Sequence, residues 1–64
     1  MKTERGKVTA LDATKRAVRM NRNWYNASEQ ELKRLRLHDE IEVTYVTKEG
    51  RRKVVELLIL PDGD

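Results

Sequence analysis

The chain has no cysteine and no phenylalanine, and among its 64 residues only one proline, three glycines, one tryptophan, two tyrosines and one histidine. Without cysteine it has neither a disulfide framework nor a thiolate zinc site to hold it together. Packing must therefore do that, although a chain this short buries only roughly 60% of the surface its unfolded form exposes. One compact domain over 1–64 is expected, with loose ends at 1–5 and 61–64. Long apolar runs are also missing: the longest, Leu57-Leu58-Ile59-Leu60, is far short of a membrane span. Met1 to Gly6 has no apolar stretch behind its basic residues, unlike a secretory signal. These absences predict a small soluble, cytoplasmic protein with no membrane partner.

Catalytic chemistry is equally thin. His38 is the only histidine, and Ser28 is committed to a helix cap, so no general base has a nucleophile near it in sequence. The three glycines, Gly6, Gly50 and Gly63, form no Gly-rich phosphate loop. No enzyme activity, no catalytic residue, no metal and no cofactor is expected.

Charge is present in quantity: 39% of residues are charged, with a net of +3. Residues 1–26 carry seven cations (Lys2, Arg5, Lys7, Lys15, Arg16, Arg19, Arg22) against Glu4 and Asp12, a net of +5. Residues 27–64 carry seven cations against nine carboxylates, among them Glu40, Glu42, Glu56, Asp62 and Asp64, a net of −2. A polyanionic partner suits the first half. The plainer reading of the same charge is a solvated surface.

Ile41, Val43 and Tyr45 alternate with Glu42, Thr44 and Val46, the period of a half-buried strand. After Lys48-Glu49-Gly50, the stretch from Arg51 to Leu60 reads as a second strand, ended by Pro61. A two-residue Glu49-Gly50 turn would set Val43 opposite Glu56. A three-residue loop sets Val43 opposite Val55, Ile41 opposite Leu57 and Glu42 opposite Glu56, which keeps the apolar face whole and is the expected register. Upstream, Ser28-Glu29-Gln30-Glu31 is a capping box. It predicts a short helix over 29–36, with Leu32 and Leu35 on one face and Leu37 completing an apolar plug.

Residues 7–27 admit two readings. As a helix, Val8, Leu11 and Val18 share a side that Lys15 interrupts; with residues 8–20 helical the hairpin becomes a wing and the partner duplex DNA. As strands, Lys7 to Leu11 and Ala17 to Asn21 each alternate, Asp12-Ala13-Thr14-Lys15 turns with Asp in its favoured first position, and Asn21-Arg22-Asn23 makes a second tight turn. The strand reading is preferred. It predicts β1 (about 6–12), β2 (16–21), β3 (23–27), a helix (29–36), β4 (40–47) and β5 (51–60).

That order resembles the OB-fold, a small five-stranded barrel whose one short helix lies between the third and fourth strands. The segment Leu35-Arg36-Leu37-His38-Asp39-Glu40-Ile41-Glu42-Val43 is similar to the opening of β4 in many small barrels, with His38 standing where such openings usually carry glycine. The resemblance implies a mainly β, OB-like barrel in the order β1-β2-β3-α-β4-β5. It also implies a ligand lying across β2 and β3, flanked by the loops between β1 and β2 and between β4 and β5.

Those places hold a consistent set of residue types. Single-stranded nucleic acid needs cations along its backbone, flat rings for its bases and short amides for optional base contacts. Lys15, Arg16, Arg19 and Arg22 interleave with Asn21, Asn23, Asn26, Trp24 and Tyr25, while Lys48, Arg51 and Arg52 sit at the second loop. The expected function is binding of single-stranded DNA or RNA with low sequence specificity through Lys15, Arg16, Arg19, Arg22, Trp24, Tyr25, Lys48, Arg51 and Arg52. A two-residue turn after Met20 would expose Trp24 beside Arg19; a three-residue turn would expose Tyr25 instead. The competing expectation is a protein-interaction or assembly module that docks through an exposed barrel strand.

Overall fold

The computed structural model describes residues 1–61. Its elements are β1 (Lys2–Asp12), β2 (Ala17–Met20), β3 (Asn23–Asn26), α1 (Glu29–Arg34), β4 (Glu40–Lys48) and β5 (Arg51–Ile59). The protein is mainly β, and its five strands close into a barrel in the order β1-β2-β3-β5-β4, with β4 returning to β1. This architecture is consistent with an OB-like fold. Residues 8–12 and 17–20 are strand, so the helical reading of 8–20 and its winged form do not hold. Asp62, Asp64 and the expected loose end past Pro61 lie outside the described residues.

β1 serves two neighbours. Its first half, from Lys2 opposite Tyr45 to Lys7 opposite Glu40, pairs with β4; its second half, from Val8 opposite Met20 to Asp12 opposite Ala17, pairs with β2. Residues 2–5, expected as a loose end, are thus paired strand. Thr3 and Arg5 make polar side-chain contacts across the ladder, Arg5 to Glu42 at 3.2 Å and the Thr3 hydroxyl to that of Thr44 at 3.2 Å, a pattern that hydrophobic alternation does not reveal. An irregularity between Val8 and Ala10 marks the change of partner. Gly6 lies just before it, where a Cβ would press on the Asn21 side chain and sit 2.8 Å from Met20 Cγ, so only glycine lets β1 approach this closely.

Short-range chemistry sets the turns. The Asp12 carboxylate accepts from the Lys15 N–H at 3.1 Å, holding the β1–β2 turn. β2 and β3 are joined by two residues, Asn21 (φ 52°) and Arg22 (φ 66°), the left-handed pair of a type I′ hairpin. The β4–β5 loop is likewise two residues, Glu49 (φ 54°) and Gly50 (φ 76°), not the expected three. The clash that argued against it is removed by a bulge: the register shifts between Thr44 and Tyr45, Val55 drops out of the ladder, and Val43 meets Leu57 while Ile41 meets Ile59. Glu42 faces Leu58 and Thr44 faces Glu56, so the expected Val43–Val55, Ile41–Leu57 and Glu42–Glu56 pairs do not form.

The core holds Val8, Val18, Met20, Tyr25, Ile41 and Val43, each fully buried, with the Tyr25 and Tyr45 rings edge-to-face at 5.0 Å. α1 begins in the capping box, where Ser28 Oγ accepts from the Glu31 N–H at 3.2 Å and Glu31 Oε1 accepts from the Ser28 N–H at 3.0 Å. Leu35 is buried and Leu32 packs against the same core. Leu37 is not part of the plug: the helix ends at Arg34, Leu35 is already extended, and Leu37 is 54% exposed. The chain then turns through His38, whose φ of 74° lies in the left-handed region that glycine occupies without cost. Its N–H donates to the Val8 carbonyl at 2.8 Å, which ties this turn to β1. The exposed imidazole makes no hydrogen bond among the described residues. His38→Gly is therefore expected to stabilise the fold by about 0.5–1 kcal/mol, the left-handed penalty less the extra chain entropy of glycine. The check is a higher urea midpoint; a lower one would show that the ring itself contributes.

Candidate functional site

Three turns that are distant in sequence meet over β3. Lys15 comes from the β1–β2 turn, Arg22 from the β2–β3 turn, and Gly50, Arg51 and Arg52 from the β4–β5 turn and the start of β5. With Asn23, Trp24 and Asn26 of β3 they line an open groove of about 730 Å³. β3 lies beside β5 because Asn26 pairs in parallel with Lys53, the bridge that closes the barrel.

The electrostatics are one-sided. Among the described residues four cations line this groove and no carboxylate does. Among the described residues the ion pairs are Arg5–Glu42 and Lys33–Glu29, so none of the four groove cations has a carboxylate within 4.0 Å. Trp24 is 45% exposed and sits opposite Arg19 across the hairpin. Alternation along β3 sends the next residue the other way: Tyr25 is completely buried and offers no ring to a ligand, which corrects its place among the expected contacts. Tyr25 acts from beneath. The Arg52 guanidinium lies 5.8 Å from its ring centroid, near enough for a cation–π contact. Burial pushes the Tyr25 phenol pKa above its ordinary value; the Asn23 side chain is close to the hydroxyl but forms no well-aligned hydrogen bond with it.

Of the nine expected contacts, the groove gathers Lys15, Arg22, Trp24, Arg51 and Arg52. Arg19 is exposed beside Trp24 but does not line it. Lys48 faces Arg51 at the end of the hairpin, also outside the lining. Arg16, at φ 52°, faces a separate groove with Leu11, Glu29 and Leu32 next to α1. Asn23 and Asn26, expected as short amides for optional base contacts though not among the nine, also line the groove, whereas Asn21 does not. Among the described residues no group of three or more His, Asp or Glu side chains could hold a metal ion, and no helix is long and apolar enough to cross a membrane. No family model, curated protein or solved structure matches the chain.

The two type I′ turns differ in one respect. The β4–β5 turn has Gly50 at its second position, whereas the β2–β3 turn has Arg22 there, a side chain that gains nothing locally from a positive φ. Arg22→Gly is expected to raise the stability of the fold by about 1 kcal/mol, seen as a higher urea midpoint, while removing one cation from the groove.

Proposed function

We propose that this chain binds single-stranded nucleic acid, DNA or RNA, with low sequence specificity, along the groove over β3. The observation that carries the proposal is the grouping of Lys15, Arg22, Arg51 and Arg52 around the half-exposed Trp24, with no carboxylate in the lining among the described residues. Phosphates supply the counter-charge that the fold leaves out, and an unpaired base supplies the flat partner that a half-exposed indole accepts. Paired bases hide those faces in the duplex, which is why the single strand is favoured. Arg19, beside Trp24, and Arg16 and Lys48, farther out, add to the field but not to the first contacts.

A specific observation also favours assembly through an exposed strand. Beyond Lys53, β5 pairs only with β4 among the described residues, and Val55 (56%) and Leu58 (50%) are exposed on it. The charge pattern favours nucleic acid, since beyond Lys53 this strand carries a single charge, Glu56, while its cations Arg51 and Arg52 belong to the groove.

The test is a titration of Trp24 fluorescence with oligonucleotides at several salt concentrations. Four neutralised phosphates predict a slope of log K against log salt near −3 for a single strand. Trp24→Ala, followed by anisotropy of a labelled strand, should weaken binding by about 1–3 kcal/mol. Arg19→Glu with Arg22→Glu should abolish binding with the fold intact. Affinity no tighter than about 100 μM without salt dependence would reject the proposal, and a double variant that instead loses self-association or a protein partner would favour assembly.

A further inference from the structure

One end of the groove runs into a smaller recess of about 230 Å³, lined by Asp12, Lys15, Ala17, Trp24 and Asn26. It shares Lys15, Trp24 and Asn26 with the groove and adds one carboxylate, Asp12. Oδ1 of Asp12 accepts from the Lys15 N–H at 3.1 Å, and among the described residues Asp12 has no cation within 4.0 Å. The turn accounts for Asp12 at this position, but a carboxylate beside a phosphate-binding groove repels the backbone it adjoins, and a ligand group that donates to it offsets that repulsion. Ionised, it can only accept, with lone pairs left on both oxygens.

The bases differ in what they offer such a group. Guanine presents two adjacent donors on its Watson–Crick edge, the ring N1–H and the exocyclic N2 amino group. Adenine and cytosine present one amino donor beside a ring acceptor, which a second carboxylate oxygen repels. Thymine and uracil present one N–H between two carbonyls. Only guanine meets a carboxylate through two parallel hydrogen bonds, the strong geometry for a charged acceptor.

We infer that this recess is a guanine subsite, in which the base stacks on Trp24 and sets its N1–H and N2 amino edge against the Asp12 carboxylate. The Asn26 amide supplies a donor for the base's O6 carbonyl. This rests on the single-strand reading above and deepens it, since binding along the groove stays indifferent to sequence except at one position. Asp12 thereby has two tasks, capping the turn with one oxygen and reading a base with the other.

The experiment compares oligothymidylates of about eight nucleotides, within the span that one such barrel covers, in which one central base is thymine, guanine, hypoxanthine or adenine. Hypoxanthine keeps N1–H and lacks the N2 amino group. The wild-type protein should bind the guanine strand about tenfold more tightly than the all-thymine strand, with hypoxanthine between them and adenine no better than thymine. Asp12→Asn keeps an acceptor for the Lys15 N–H but replaces one carboxylate oxygen with an amino donor. It should erase the guanine preference while leaving all-thymine affinity unchanged or higher, because a negative charge is gone. Equal wild-type affinities, or a guanine preference that survives in Asp12→Asn, would overturn the subsite. If equal affinities keep the steep salt dependence, the groove reading survives alone; if no strand binds, both fall.

Discussion

The double pairing of β1 is the constraint on which the rest of this molecule depends. One strand has to be in register with β4 over residues 2–7 and with β2 over residues 8–12. The change of partner is possible because Gly6 leaves room for Met20 and Asn21 and because the ladder slips between Val8 and Ala10. The sheet closes on itself through one parallel bridge between Asn26 and Lys53. Lys15, Arg22 and Arg51 become neighbours by that closure. The groove follows from the barrel's geometry and from no local motif.

Core and groove are also linked through adjacent side chains of one strand. Trp24 points out and Tyr25 points in, so the same four-residue β3 presents an aromatic face to solvent and fills the centre of the barrel. The buried Tyr25 ring packs on Tyr45 and lies within reach of Arg52, which places a core residue directly under a groove cation. Positive φ at non-glycine residues is not confined to this neighbourhood. Of Arg16, Asn21, Arg22, His38 and Glu49, only Arg22 lines the groove, and all five sit where the chain turns between elements.

Much of the architecture was legible from residue order. The alternation of Ile41, Val43 and Tyr45, the Ser28–Glu31 capping box and the Asp12 turn are short-range effects, and each element they predict is present within a few residues of its expected bounds. Reading failed where one residue changes parity. The Val55 bulge allowed a two-residue Glu49-Gly50 turn that strict alternation had ruled out, and the early end of α1 left Leu37 outside. Of the expected contacts, Lys15, Arg22, Trp24, Arg51 and Arg52 converge, while Arg16 and Lys48 diverge although they neighbour residues that do.

By itself the amino-acid order determined the extended segments after residue 40, the capped start of the helix, and that cations would crowd the first half, because periodicity, capping and turn preference act over a few residues. That residues 2–12 extend was settled by their pairing with β4 and β2. Only the tertiary structure decided which aromatic faces solvent, which cations share a groove, and that Asp12 would stand beside Trp24. Those outcomes depend on side-chain parity and on barrel closure, and a single bulge or a single bridge sets them across distances that no sequence window spans.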